Sequence, residues 1–269
     1  MTIIEIPAIN GLGKTSGVES APKKILEELK EIYSNSSNRA INCKDIKSEI
    51  INVKNDIPEE DNKLIYKSAF DSFKEKLKPL FLGGDHSISY STTRAFFDYC
   101  DTSKLEPCLI IFDAHPDLMQ PVDKKFPTHE EWLRQLIDDK FPTKNILLIG
   151  CRNADKKELE FIEKHELKQI SIDQIQENIE ETTHMIMEFS RHKELYVSID
   201  IDVIDPAFAP ATYYTETGGL TSSQFIYISS RISKMKNLRA IDIVEINPKK
   251  DTEKKITLKL GAKILSDFL

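Results

Sequence analysis

Strand-sized apolar runs and helix-sized amphipathic runs take turns along this chain. Short runs rich in β-branched and aromatic residues lie at 2–7, 49–53, 79–82, 108–112, 145–149, 195–199 and 240–244. Between them apolar residues recur at intervals of three and four, which gathers them on one face of a helix. A helix is predicted over 20–33, with Ser20 as its cap and Ile25, Leu26 and Leu29 on its inner face. Another is predicted over 58–77, opened by Pro58. Further helices are predicted over 89–99, 128–138, 155–165, 179–192, 222–234 and 257–268. The later strands are continuous apolar runs, such as Cys108-Leu-Ile-Ile-Phe112, and do not alternate with polar positions. Continuous strands interleaved with helices predict an α/β fold, a mostly parallel sheet covered by helices on both faces. The polar stretch 34–42 reads as a surface loop. Repeats, low-complexity tracts and long linkers are missing, so one domain over 1–269 is expected.

Composition narrows the class. A chain of 269 residues can bury a sizeable core. No apolar run approaches the about 20 residues of a bilayer-spanning helix. The start, Met1-Thr-Ile-Ile-Glu-Ile6, has a charge inside its apolar run and no basic lead, so no secretion signal is expected. A net charge of −7 with both signs mixed gives no nucleic-acid footprint. Cys43, Cys100, Cys108 and Cys151 form no Cys-x-x-Cys pair and read as the reduced thiols of a cytoplasmic protein.

In a parallel sheet, ligands sit beyond the carboxyl ends of the strands. Gly83-Gly84-Asp85-His86-Ser87 follows one predicted strand, Asp113-Ala-His115-Pro-Asp117 the next and Asp200-Ile-Asp202 a third, while Glu245 ends a fourth. Residues two apart on a strand share a face, so Asp113 pairs with His115 and Asp200 with Asp202, and Pro116 can turn Asp117 into the same pocket. Four carboxylates packed together need cations. With His86 the set holds six donors, enough for two divalent ions, and its oxygen-rich character favours Mn2+ over zinc. Each motif has a plainer reading alone: strand-end aspartates cap helices, Asp205-Pro206 signals a turn, and Asp85 reads as a loop group. Three clusters at three strand ends favour metal binding.

These motifs resemble those of the ureohydrolases: arginase, agmatinase, guanidinobutyrase and formimidoylglutamase. Gly83-Gly-Asp-His86-Ser87, Phe112-Asp-Ala-His-Pro-Asp117 and Ser198-Ile-Asp200-Ile-Asp202-Val-Ile-Asp205-Pro206 look like the family's three metal motifs, in family order. Gly218-Gly219-Leu220-Thr221 continues the third, and Asp242-Ile-Val-Glu245-Ile-Asn-Pro248 is similar to the segment that carries a guanidinium-binding glutamate. The resemblance covers about 80–250. It implies a three-layer α/β/α arginase-like fold around two manganese ions. His86, Asp113, Asp117 and Asp200 would hold one ion and Asp113, His115, Asp200 and Asp202 the other, with Asp113 and Asp200 bridging. It further implies a metal-bound hydroxide that attacks a guanidino or amidino carbon, Glu245 pairing with the substrate cation and His129 delivering the proton to the leaving amine. Because members are commonly trimers or hexamers, it also implies a homo-oligomer. His165, His184 and His192 read as ordinary surface residues.

The substrate is less sharply written. The loop Leu118-Met119-Gln120-Pro121 lacks the Asn and Ser residues with which arginases read an amino acid's tail. Gly150-Cys-Arg152-Asn-Ala-Asp155 resembles an arginase segment whose aspartate meets the substrate amino group, although Asp155 also suits a helix cap. Ala207-Phe-Ala-Pro210 and Glu216 lean toward agmatinases, and Tyr213-Tyr214-Thr215 replaces the usual Gly-Thr-Pro, so Tyr214 is expected in the pocket. Lys124 and Lys125 would suit an anionic tail such as formimidoylglutamase needs. Agmatinase-like hydrolysis of agmatine to putrescine and urea leads, with arginase and formimidoylglutamase as alternatives. A metallophosphoesterase would carry a Gly-Asn-His motif that is absent here. A non-catalytic metal-binding relative would have little reason to keep all six donors with His129 and Glu245.

Overall fold

The computed structural model describes residues 2–42, 46–123 and 126–269, so Cys43, Lys124 and Lys125 lie outside the described residues. The strands are β1 (Thr2–Ile6), β2 (Ser48–Ile50), β3 (Pro79–Gly83), β4 (Pro107–Phe112), β5 (Ile146–Ile149), β6 (Lys168–Ile170), β7 (Glu194–Asp200) and β8 (Leu238–Val244). They form one sheet in the order β2-β1-β3-β8-β7-β4-β5-β6, and every pairing is parallel. The helices are α1 (Ala21–Leu29), α2 (Pro58–Lys74), α3 (Ile88–Ser103), α4 (Trp132–Asp138), α5 (Lys156–Lys164), α6 (Ile172–Glu177), α7 (Ile179–Phe189), α8 (Ser222–Ile232) and α9 (Ile256–Asp267).

Alternation along each strand sends side chains into two separate cores. Leu80 and Leu82 of β3 join Ile25, Phe225 and Leu258 from α1, α8 and α9 on one face. Phe81 between them joins Phe73, Phe96 and Leu133 from α2, α3 and α4 on the other. The predicted three-layer α/β/α arrangement is therefore what the chain adopts.

Several predicted boundaries shift. α1 has no side-chain cap from Ser20, whose hydroxyl instead donates to the Gly17 carbonyl, because a 3₁₀ turn (Val18–Ser20) runs straight into the helix. That helix ends at Leu29, and α2 at Lys74. α4 begins at Trp132, not at Thr128: Thr128 Oγ1 bonds the Glu131 carboxylate and ties 128–131 into a turn. Residues 51–53 fall outside β2, a short and fully exposed edge. β6 and the one-and-a-half turns of α6, capped reciprocally by Ser171 and Gln174, are too short for a periodic signal.

The strand order has one consequence for function. β3, β8, β7 and β4 lie side by side in the middle of the sheet, and these are the strands whose carboxyl ends carry His86, Glu245, the Asp200–Asp202 pair and the Asp113–Asp117 run.

Candidate metal centre

Three aspartates are aimed by the backbone beneath them. Asp113 Oδ1 accepts the His115 N–H at 2.6 Å, Asp200 Oδ1 the Asp202 N–H at 2.8 Å, and Asp202 Oδ1 the Ala114 N–H at 2.9 Å. Each keeps its second oxygen for the interior. Asp113 Oδ2 lies 3.0 Å, and Asp200 Oδ2 3.3 Å, from His86 Nδ1. Asp202 Oδ2 lies 2.9 Å from His115 Nδ1. Asp117, in a left-handed conformation (φ 52°) after Pro116, turns inward as predicted, with Oδ2 3.0 Å from His86 Nδ1 and accepting Trp132 Nε1–H at 2.7 Å.

Two donor groups result, His86 with Asp113 and Asp200, and Asp113 with His115 and Asp202; within each group the candidate ligand atoms all lie within 4.8 Å of one another. Asp113 belongs to both. His86 Nδ1 and Asp113 Oδ2 are buried without an aligned hydrogen bond. These two unpaired buried atoms, set among the carboxylates of Asp117, Asp200 and Asp202, fit a hard divalent cation.

The electrostatics of the bare cluster are those of crowded charge. Burial, then Asp113, pushes Asp117 up to about 7. Burial and neighbouring carboxylates also raise Asp200 and Asp202. Burial would lower His115, but hydrogen bonds with Asp113 and Asp202 overcome it and hold it near 12. His86 is raised against its burial by Asp113, Asp117 and Asp200.

Glu245 follows β8 in a left-handed conformation (φ 65°), its N–H donating to the Gly84 carbonyl at 2.9 Å. Its Oε1 accepts the His86 N–H at 2.9 Å, and its Oε2 is buried with no partner. The backbone passes close here, for a Cβ on Gly84 would sit 2.1 Å from the Ala8 carbonyl oxygen. Asp85 is indeed a loop group, accepting from Asn10 N and Thr15 Oγ1, both at 2.7 Å. Asp205 organises a turn by accepting the N–H groups of Ala207, Gly218 and Gly219.

A cavity of about 250 Å3 opens over this floor, reached by His86, His115, Asp117, Asp200, Asp202 and Glu245. His129 lines it and is buried, so a surface cap is excluded; neither ring nitrogen has a hydrogen-bond partner, and burial lowers its pKa. Tyr214 lines it as well and stands edge-on to the His115 ring at 6.1 Å. Asp155 does two things: Oδ1 caps α5 by accepting Lys157 N–H at 2.8 Å, and the residue lines the cavity. Glu216 is not among the lining residues; its Oε1 accepts Asn153 Nδ2 at 2.6 Å and lies 3.5 Å from His115 Nε2. His184 and His192 are exposed, and His165 packs half-buried on Phe161. Cys100, Cys108 and Cys151 are free, and among the described residues no helix is long and apolar enough to cross a membrane.

Sequence reading missed several members. Met119, Asn153, Glu158 and Thr212 also line the cavity, and Trp132, Ser198 and Asp242 stand behind the ligands. Asp242 did leave a signal, a lone carboxylate inside the apolar run Ala240-Ile-Asp-Ile-Val244.

The profile of the Arginase family matches residues 1–269. A mitochondrial arginase 1 of Oryza sativa subsp. indica is 30% identical over 202 residues, 72% of this chain and 55% of that protein. An agmatinase of Bacillus subtilis (strain 168) is 30% identical over 202 residues, 74% of this chain and 66% of that protein. The chain thus spans little more than half the length of the first of these relatives. Among solved structures, the agmatine ureohydrolase of Thermoplasma volcanium is 25% identical with a TM-score of 0.84, covering 99% of this chain and 87% of that one. The formimidoylglutamase of Bacillus subtilis subsp. subtilis str. 168 shares the fold, at a TM-score of 0.87 and 24% identity over 99% of this chain and 85% of that one.

Proposed function

The chain belongs to the arginase family, and we propose that it is a dinuclear manganese hydrolase that cleaves an amidino C–N bond of an amine-ended guanidine such as agmatine. His86, Asp113, Asp117 and Asp200 would hold one Mn2+, and Asp113, His115, Asp200 and Asp202 the other. Bound there, the ions offset the buried carboxylates and lower the pKa of water toward neutrality.

The chain's own groups do the rest. Glu245 Oε2, buried and unpaired, accepts N–H donors of a guanidinium and fixes it in the cavity. Asp117 and Glu245 hold left-handed backbone conformations, a cost that the surrounding hydrogen bonds sustain. His129 has two free ring nitrogens on the cavity wall, so it can take a proton and give it to the departing amine. Glu130 Oε1, 3.6 Å from His129 Nε2 and partly exposed, supplies a route for that proton from solvent.

One observation carries the substrate class. Asp117, Asp200 and Asp202 are assigned to metal and Glu245 to the guanidinium. The carboxylates left on the cavity wall are Glu130 (paired with Lys14 at 3.5 Å), Asp155 and Glu158, and no lysine or arginine lines the cavity among the described residues. Such a wall favours a cationic tail and disfavours a carboxylate. Arginase is the second reading, favoured by Asp155, which stands where an α-amino group could meet it. The test is urea or ammonia release by the Mn2+-loaded protein from agmatine, arginine, guanidinobutyrate, formiminoglutamate and guanidine. Best turnover on agmatine supports the proposal, and release from none would make the chain a non-catalytic relative. We further take residues 1–269 to act as one domain in a cytoplasmic homo-oligomer, trimer or hexamer, which light scattering in solution would measure.

A further inference from the structure

A buried carboxylate stands directly behind the first metal-ligand candidate. Asp242 lies within the apolar run of β8, paired in register with Ser198 of β7, and is fully buried. Four donors saturate it. Ser198 Oγ donates to Oδ1 at 2.7 Å and the Ile199 N–H reaches the same oxygen at 3.3 Å. Tyr196 OH, at 2.8 Å, and Ser89 Oγ, at 2.9 Å, donate to Oδ2. Beyond Ser198, its Oγ lies 2.9 Å from His86 Nε2.

A serine hydroxyl has one proton, and an ionised carboxylate can only accept. Asp242 takes the Ser198 proton, so the Ser198 oxygen meets His86 as an acceptor and the ring hydrogen sits on Nε2. In the neutral ring, the form that binds a metal, the opposite nitrogen then carries the lone pair. Nδ1 faces Asp113 Oδ2 and Asp117 Oδ2 at 3.0 Å and Asp200 Oδ2 at 3.3 Å, yet makes no aligned hydrogen bond with any of them. Oxygen atoms gathered around a nitrogen without donation from it surround a shared point, as ligands of one ion do.

We propose that Asp242 and Ser198 are positioning residues that lock His86 in the tautomer and orientation of a metal ligand. The inference rests on reading His86 as a ligand. It makes a one-sided prediction, because His115 has no such buried hold: its Nε2 faces the partly exposed Glu216. Loss of the partner that orients a ligating histidine typically costs about 10–100-fold in metal affinity.

Calorimetric Mn2+ titration of the metal-stripped protein, with bound ions counted by electron paramagnetic resonance, tests it. Ser198→Ala should weaken one of the two sites about 10–100-fold and leave the other within about threefold. Asp242→Asn keeps an acceptor oxygen without the charge, so a smaller loss at the same site is expected. Should Asp242→Asn not fold, Ser198→Ala alone carries the comparison. Long-range 1H–15N spectra of the Zn2+-loaded, 15N-histidine-labelled wild type should show the His86 hydrogen on Nε2. Ser198→Ala binding both ions like wild type, losing both equally, or a hydrogen on Nδ1 would overturn the proposal. A wild type that binds no divalent ion sinks the metal reading together with this one. A wild type that binds two ions but hydrolyses no amidine sinks the activity alone, and the variant affinities still decide the role of Asp242.

Discussion

The ring of Tyr214 stacks on that of His129, with centroids 5.9 Å apart and planes 20° from parallel. Neither nitrogen of His129 is hydrogen-bonded, so the imidazole is held by packing, this tyrosine included. His129→Ala should keep both metal ions and lose roughly 10²–10⁴-fold in turnover, the usual scale for a proton-transfer group. Tyr214→Phe preserves the stacked ring and should stay near wild type, whereas Tyr214→Ala should lower kcat. Metal analysis beside steady-state kinetics checks both. Full turnover of His129→Ala with an unactivated amine leaving group would return the histidine to a packing role.

Asp113 is the one residue common to both donor groups. Asp113→Ala should therefore abolish binding of both ions, while Asp202→Ala should spare the His86 side. Elemental analysis after Mn2+ loading is expected to give about two equivalents for the wild type, near zero for Asp113→Ala and about one for Asp202→Ala. Retention of one ion by Asp113→Ala would show that the two groups are independent.

The ligand motifs were legible because a parallel sheet forces whatever follows each strand to one edge, and period-two alternation pairs Asp113 with His115 and Asp200 with Asp202. The supports were not. Ser198 reaches Asp242 across 44 residues of sequence, a contact that exists because β8 is inserted between β3 and β7. Linear spacing carries no record of that insertion. The helix expected from Thr128 failed for a related reason: Trp132 is anchored to Asp117 and Thr128 to Glu131, so the turn that presents His129 is set by tertiary contacts overriding a helical pattern. The bond that Asn153, from another loop, donates to the Glu216 carboxylate beside His115 was equally invisible in the sequence.

Without metal, the cluster should make folding stability fall as pH rises from 5 to 8. That window lies above the range where Asp113 takes up its proton, since burial would raise this carboxyl but hydrogen bonds with His115 and His86 hold it low. Asp117 is raised to about 7 from an unfolded value near 3.9, so its favourable contribution is complete below about 4 and lost as pH passes through 7. His115, held near 12, contributes fully below about 6.5 and loses that stabilisation as pH rises further, which is the same sign. Asp200, Asp202 and His86 are displaced upward too. The expected result is a lower melting temperature at pH 8 than at pH 5 in chelator, and a stabilisation by Mn2+ that grows across that interval. A chelated protein that gains stability from pH 5 to 8 would contradict the crowded-carboxylate picture.

The choice between agmatine and arginine must be made at the far end of the cavity, because Glu245 and the metal ligands meet a guanidinium that both share. Arginine's carboxylate would enter a wall lined by Glu130, Asp155 and Glu158. Leaving it unpaired there costs on the order of 1–3 kcal/mol, about tenfold to a hundredfold in selectivity. kcat/KM for agmatine should accordingly exceed that for arginine by at least about tenfold. Asp155 allows the charge to be separated from the fold. Its Oδ1 caps α5, and asparagine caps about as well as aspartate, so Asp155→Asn should leave the melting temperature nearly unchanged. If the same residue also meets the substrate's terminal amine, kcat/KM for agmatine should drop about tenfold in that variant, mostly through KM, and the preference over arginine should shrink. An unchanged KM would mean that Asp155 serves the helix alone. Arginine turned over better than agmatine by the wild type would move the substrate assignment to arginase while leaving the metal chemistry as described.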